Sequence, residues 1–165
     1  TEIGVSAYVP ILTKRAVNPL TPSLHQKIDQ WVIEACKQCG RNQLLTALEP
    51  LSLSNFLRIS AHVPERYVAC TPADFANVIA PVESELAGDP QRGELRSEAR
   101  LTEWNFSRAL LVGPEGGFTS EELGEIQARG WHPQVLGPFI LRMETAAIAG
   151  ATVLVNPPFK PVRQL

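Results

Sequence analysis

Two stretches of this sequence combine glycines, apolar residues and isolated charges in a way that ordinary connectors do not. The first is Gly113-Pro114-Glu115-Gly116-Gly117-Phe118. Its glycines clear side chains from the backbone, so a ligand can approach main-chain amides, and a helix after it would turn a positive end toward that ligand. It is neither the dinucleotide fingerprint G-x-G-x-x-G nor a phosphate loop ending in G-K-[ST], and it has no Lys to meet a phosphate. A tight strand-to-helix turn with no ligand is the competing reading. The second stretch runs from Leu136 through Gly137, Pro138, Phe139, Ile140, Leu141, Arg142, Met143, Glu144 and Thr145 to Ala146. Here Ile140 and Leu141 can wall an apolar or aromatic ligand, Gly137 gives backbone access to a heterocycle edge, and Arg142 is the nearby cation. Against that, Ile140 and Leu141 can simply pack, Arg142 can point to water, and Glu144 can be an ordinary first-turn acid.

These loops need elements to hold them. Val5 to Leu12 reads as a buried strand, and Thr21-Pro22 opens a helix whose Leu24, Ile28, Trp31, Val32 and Ala35 form an apolar face ending at Gly40. Leu44 to Leu48 is a second strand, Leu51 to Leu57 a short helix, and Arg66 to Cys70 a third strand ending at Thr71-Pro72. Phe75, Val78 and Ile79 fit a short helix, and Gly88 to Gly93 an exposed loop. Ala109 to Val112 is a strand feeding the glycine loop. Thr119-Ser120-Glu121-Glu122 is a capping box opening a helix with Leu123 and Ile126 on one face and Gly130 as its stop. Val135-Leu136 is a brief strand, and Glu144 to Val155 a final helix ended by Asn156-Pro157-Pro158. Gly150 inside that helix costs about 1 kcal/mol relative to Ala, which implies another backbone or helix close against it, within the chain or across a dimer. The alternation predicts an α/β fold with a mostly parallel sheet covered by helices on both faces. Both loops then leave carboxyl ends of strands, where ligands sit in such sheets.

The chain has 165 residues, 44% of them hydrophobic, which fits one domain. Fifteen Lys and Arg against seventeen Asp and Glu give a net charge of -2, so composition carries no basic signature of nucleic-acid binding. No run approaches the roughly 18 apolar residues of a spanning helix, and nothing reads as a signal peptide, so the expectation is a soluble cytoplasmic protein without a membrane partner. Cys36, Cys39 and Cys70 read as reduced thiols. The Cys36-Lys37-Gln38-Cys39 spacing lacks the second ligand pair of a zinc site, and no metal is expected. Thr1-Glu2-Ile3-Gly4 reads as the last turn of a helix with Gly4 as its left-handed cap, as if the chain began inside an element.

Two long segments, LLVGPEGGFTSEEL from Leu110 to Leu123 and LGPFILRMETAAIAG from Leu136 to Gly150, resemble the ribosomal RNA small subunit methyltransferase E family. That family makes N3-methyluridine in small-subunit rRNA and belongs to the SPOUT superfamily. TEIGVSAYVPILTKRAV at Thr1 to Val17 and EACKQCGR at Glu34 to Arg41 resemble the same family. The resemblance implies a C-terminal trefoil knot, a homodimer, 16S rRNA in the small ribosomal subunit as partner, and an RNA-binding domain ahead of this catalytic domain. It also implies S-adenosyl-L-methionine held by the knot loops. On this chain those positions are Leu111, Val112, Gly113, Gly116 and Gly117 in one loop, and Leu136, Gly137, Ile140, Leu141, Arg142, Met143 and Ala146 in the other, with Thr71 as a further wall.

Uridine N3 is a weakly acidic imide, so methylation there needs help in removing a proton or stabilising the anion. Arg142 would meet negative charge on the uracil carbonyls, with Glu115 or Glu144 as base. The chain departs from the family at Phe139, usually Arg, and at Met143, commonly Thr. RNA contact would then fall to Lys14, Arg15 and Arg41, or these are ordinary surface residues. A SPOUT enzyme acting on another RNA such as tRNA, and a cofactor-binding domain with no activity of its own, are the rival readings.

Overall fold

The computed structural model describes residues 1–16, 22–71 and 105–156. The cap at Thr21, the helix around Phe75, Val78 and Ile79, the loop 88–93 and the stop at Pro157-Pro158 lie outside the described residues. The elements are β1 (Ala7–Tyr8), β2 (Ile11–Leu12), α1 (Pro22–Cys39), β3 (Thr46–Ala47), β4 (Leu51–Ser52), α2 (Leu53–Ile59), β5 (Glu65–Cys70), β6 (Arg108–Leu111), α3 (Ser120–Ala128), β7 (His132–Val135) and α4 (Met143–Val155).

All observed strand pairs are parallel: β1 with β3, β2 with β4, and β5 in the middle of a three-stranded sheet of order β6-β5-β7. The first strand is interrupted rather than continuous. Tyr8 pairs with Ala47 and Ile11 with Leu51, so Val9 and Pro10 on one side face Leu48, Glu49 and Pro50 on the other. One extra residue on the second strand is a bulge, at a point where both strands carry a proline that cannot donate to a ladder. Main-chain bonds from Leu48 N to Tyr8 O (2.9 Å) and from Leu51 N to Pro10 O (3.0 Å) carry the pairing across it. Leu51-Ser52 is therefore strand, not helix, and α2 starts at Leu53, where the Ser52 side chain accepts from Asn55 N.

Three other expectations need correction. The last strand is His132–Val135 rather than Val135-Leu136. Its polar sequence hid it, and Pro133 is accommodated because among the described residues β7 pairs with β5 alone, on the edge of its sheet. On α1 the buried positions among the described side chains are Val32 and Cys36, one helical turn apart, whereas Trp31 is 56% exposed, since it lies about 100° round the helix from Val32. Thr1 to Gly4 forms a turn, with Gly4 N donating to Thr1 O, not the end of a helix; Gly4 does take the left-handed conformation at φ 106°.

The core unites the two halves. Leu51, Leu57, Val68 and Ile126 are essentially inaccessible, and Phe56, Leu111, Phe118 and Trp131 pack with them, the Phe56 and Trp131 rings 5.7 Å apart. Burying a side chain such as Leu57 contributes about 1.5–3 kcal/mol, so this cluster ties α2 and α3 to the sheet. Leu111 faces that cluster, while its neighbour Leu110 meets α4. A Cβ on Gly150 would stand 2.5 Å from Leu110 Cδ2 and 3.3 Å from Leu136 Cδ1, so the close approach that Gly150 implies lies within the chain. Gly150→Val, with two further carbons at that contact, is expected to lower unfolding free energy by about 1–3 kcal/mol in urea titrations; unchanged stability would mean that α4 does not sit this tightly on β6.

Candidate functional site

Because β5, β6 and β7 run parallel, their carboxyl ends share one edge of the sheet. Thr71 follows β5, the stretch from Val112 to Phe118 follows β6, and the stretch from Leu136 to Arg142 follows β7. The two chemically distinctive loops leave strands separated only by β5, about 10 Å apart at two strand spacings. Thr71, Leu111, Val112, Gly113, Leu136 and Gly137 thus lie at or next to the carboxyl ends on one rim, and Gly116, Gly117, Ile140, Leu141 and Arg142 lie further along the loops that leave it. Met143 and Ala146 follow in the first turns of α4.

The glycine loop turns tightly, with Gly117 N donating to Pro114 O at 2.8 Å, and passes into α3 through a complete capping box. Thr119 Oγ1 accepts from Glu122 N, and Glu122 Oε2 accepts from Thr119 N. Three of its glycines have reasons internal to the fold. A Cβ on Gly113 would lie 3.0 Å from the Phe118 ring, one on Gly116 would lie 3.3 Å from Arg15 Cβ, and Gly117 sits at φ 66°. Gly137 differs: none of the described residues lies within 4 Å of where its Cβ would be, and its φ is not positive. Its missing side chain is therefore the one that packing does not require.

In the second loop, Ile140 is 77% exposed, so it does not pack within the described residues as the simpler reading has it, whereas Leu141 is half-buried; Phe139 is 80% exposed. Arg142 is the N-cap of α4 by backbone geometry, and its exposed side chain caps nothing and has no partner among the described residues. Glu144 is exposed in the first turn of α4, and Glu115 is exposed at the tip of the glycine loop. All three stand where solvent or substrate can reach them.

The residues offered for RNA contact are held differently. Arg41 Nη1 donates to Thr1 O and Val5 O, both at 2.7 Å, and so closes the chain's first turn onto the end of α1. Lys14 pairs with Glu121, which holds the ammonium pKa above its usual value and the Glu121 carboxyl below its own, chiefly through their hydrogen bond. Arg15 Nη1 donates to Gly116 O at 2.8 Å and more distantly to Phe118 O. Lys14 N donates to Glu122 Oε1 at 2.8 Å, and Glu122 is 6% exposed. This link from the end of β2 to the glycine loop was not legible in the sequence, where the partners stand a hundred residues apart. Burial raises the Tyr8 pKa. Cys36 is buried and Cys39 exposed, both free thiols, as a helix with one near-surface thiol requires.

A groove of about 210 Å³ lies under α4, between Leu154 and the Glu65, Tyr67 and Arg108 side chains. Leu110, Gln134, Leu136, Gly150 and Val153 also line it, so it runs from the amino ends of β5 and β6 to Leu136, the first residue after β7. Arg108 bridges its wall, donating to Glu65 Oε2 and to Leu154 O. Among the described residues no three His, Cys, Asp or Glu side chains group as metal ligands, and no helix is long and apolar enough to cross a membrane.

Residues 1–155 match the family of RNA methyltransferase domains. Over 159 residues the chain is 28% identical to ribosomal RNA small subunit methyltransferase E of Aquifex aeolicus, covering 94% of this chain and 59% of that protein. With the protein of the same name from Synechocystis it shares 30% identity, covering 88% of this chain and 43% of the relative. The chain thus spans about half the length of these relatives. A putative methyltransferase from Legionella pneumophila, solved with bound SAM, superimposes with a TM-score of 0.64 at 31% identity, over 93% of this chain and 56% of that one. The two kinds of glycine in the site separate in a stability measurement. Gly117→Ala should cost about 1–2 kcal/mol on urea unfolding, because alanine resists a left-handed φ. Gly137→Ala should leave stability unchanged or raise it by up to about 1 kcal/mol.

Proposed function

Since the chain belongs to the family of RNA methyltransferase domains, we propose that residues 1–165 form the catalytic domain of an S-adenosyl-L-methionine-dependent enzyme that methylates N3 of a uridine in 16S rRNA of the small ribosomal subunit. The observation that carries this reading is the convergence of the glycine loop and the Arg142 loop on one rim of a parallel sheet. We place the enzyme in the cytoplasm, give its C-terminal part the trefoil knot of SPOUT proteins, and put helices on both sheet faces.

The rim fits the cofactor. Val112, Leu136, Ile140 and Leu141 offer apolar walls for an adenine, and the open space at Gly137 leaves main-chain groups within reach of its edge. S-adenosyl-L-methionine, when bound, supplies a methyl group made electrophilic by its sulfonium. This chain's part is then to hold uracil N3 in line with that methyl, exclude water, and manage the proton that N3 carries. The Arg142 guanidinium, which has no partner among the described residues, suits the carbonyl oxygens that take up negative charge as N3 is deprotonated. Glu115 and Glu144, both exposed beside it in sequence or in the facing loop, are the available bases. Thr71, at the end of β5 between the loops, closes the wall.

A second copy of the chain fits α4. This helix is apolar on all sides, yet among its described residues only Ala146 and Gly150 are buried, while Ile148 is 59% exposed and Val155, two turns further along the same face, is exposed too. A helix apolar all round belongs in an interior, and a homodimer supplies one.

Calorimetry with S-adenosylhomocysteine is the direct test, with saturable 1:1 binding expected and no binding at millimolar ligand contradicting the reading. Gly137→Ala should weaken that binding at least tenfold without loss of stability. Arg142→Ala should bind the ligand normally but lower methylation of small ribosomal subunits by about 10²–10³, the usual size of a lost anion-stabilising donor. Mass spectrometry of the modified nucleotide distinguishes N3 of an rRNA uridine from a tRNA target, and absent methylation despite binding would favour a cofactor-binding domain. Ile148→Asp is expected to halve the mass measured by light scattering after gel filtration; a monomeric wild-type chain would remove the dimer.

A further inference from the structure

From the contacts of the turn at Thr13 to Ala16, we infer that it is an external clamp on the glycine loop, with Arg15 and Glu122 as positioning residues that set cofactor affinity without touching the cofactor. The inference rests on the glycine loop being part of the cofactor site.

Within the glycine loop the Gly117 N to Pro114 O bond and the capping box at Thr119 hold the exit, while the Glu115-Gly116 tip is exposed. Glycines at 116 and 117 leave the backbone free on both sides of one turn bond, and each flexible residue loses conformational entropy when a ligand orders it. A loop ordered before the ligand arrives avoids that cost at the moment of binding. Residues 13–16 supply the order. They form their own turn, with Ala16 N donating to Thr13 O, at the end of a strand that the core holds through Ile11.

From this turn two bonds reach across. The Arg15 guanidinium donates to Gly116 O at 2.8 Å, and its aliphatic stem lies over the Gly116 α-carbon, where a Cβ would stand 3.3 Å away. The Gly116 carbonyl is thereby turned outward toward Arg15. The second bond runs through Glu122, whose two carboxylate oxygens are divided between Lys14 N and Thr119 N, each at 2.8 Å. One nearly buried carboxylate thus joins the clamp to the exit of the loop, and a neutral amide at that position would set a donor against one of the two N–H groups. The Arg15 guanidinium thus holds the Gly116 carbonyl from outside the loop.

Hydrogen exchange and S-adenosylhomocysteine calorimetry on the chain test the clamp. Arg15→Ala is expected to speed amide exchange at residues 115–118, with unchanged rates in β5, and to raise the dissociation constant about tenfold. Arg15→Lys, which keeps a donor for Gly116 O, should recover part of both losses. In turnover assays KM for S-adenosyl-L-methionine should rise in Arg15→Ala while kcat stays within about twofold. Arg108→Ala, which removes the same kind of guanidinium-to-carbonyl bond at the far end of β6, should match wild type in exchange at 115–118 and in affinity. Wild-type exchange and affinity in Arg15→Ala would overturn the clamp and leave the cofactor site standing. Faster exchange spread evenly over the whole chain would overturn it too, as general destabilisation. A wild-type chain that binds no S-adenosylhomocysteine would overturn both readings.

Discussion

Parallel pairing of β5 with both β6 and β7 is the constraint on which the candidate site depends. In a parallel sheet all carboxyl ends face one way, so the loops after these three strands must emerge on one rim, whatever their sequences. The order β6-β5-β7 places the strand that leads to Thr71 between the other two. It also forces the connection from β6 to β7 to pass over β5, carrying the glycine loop and α3 with it. The core beneath follows from the same geometry, since Val68, Leu111 and Ile126 must close over one face of that sheet.

Glycine has two different uses in the first loop, and neither holds in the second. At Gly113 and Gly116 its value is space, taken by the Phe118 ring and the Arg15 stem. At Gly117 it is a left-handed backbone, and at Gly137 neither applies. A glycine-rich loop is therefore weak evidence for a ligand until each glycine has been asked what a side chain would strike. The residue that survives that question lies in the other loop, next to the exposed Phe139 and Ile140.

Net charge of -2 carries no electrostatic signature for RNA, and several of the cations present are engaged within the fold. Arg41, Arg15 and Arg108 donate to main-chain carbonyls and Lys14 to Glu121, so several cations serve the fold first. Arg142 stands apart from them as a cation on the rim that no described residue engages. A site that recognises its substrate through one such group and a shaped rim need not sit in a basic protein.

The sequence by itself determined the elements that local rules govern. The capping box at Thr119 and Glu122 forms as written, the final helix starts within one residue of its expected place, and β5 and β6 are displaced by one residue at most, because caps and apolar periodicity act over a few residues. It also marked Gly150 as a point of close approach. What it left hidden depends on neighbours distant in the chain. The polar β7 is a strand because β5 offers it an edge, the bulge opposite Pro10 exists only in a pair, and Trp31 faces solvent because the core selected Val32 and Cys36. The bonds from Arg15 to Gly116 and from Lys14 to Glu122 belong to the same class. Local sequence sets dihedral preferences and caps; only the packed chain decides which carbonyl a guanidinium a hundred residues away will meet.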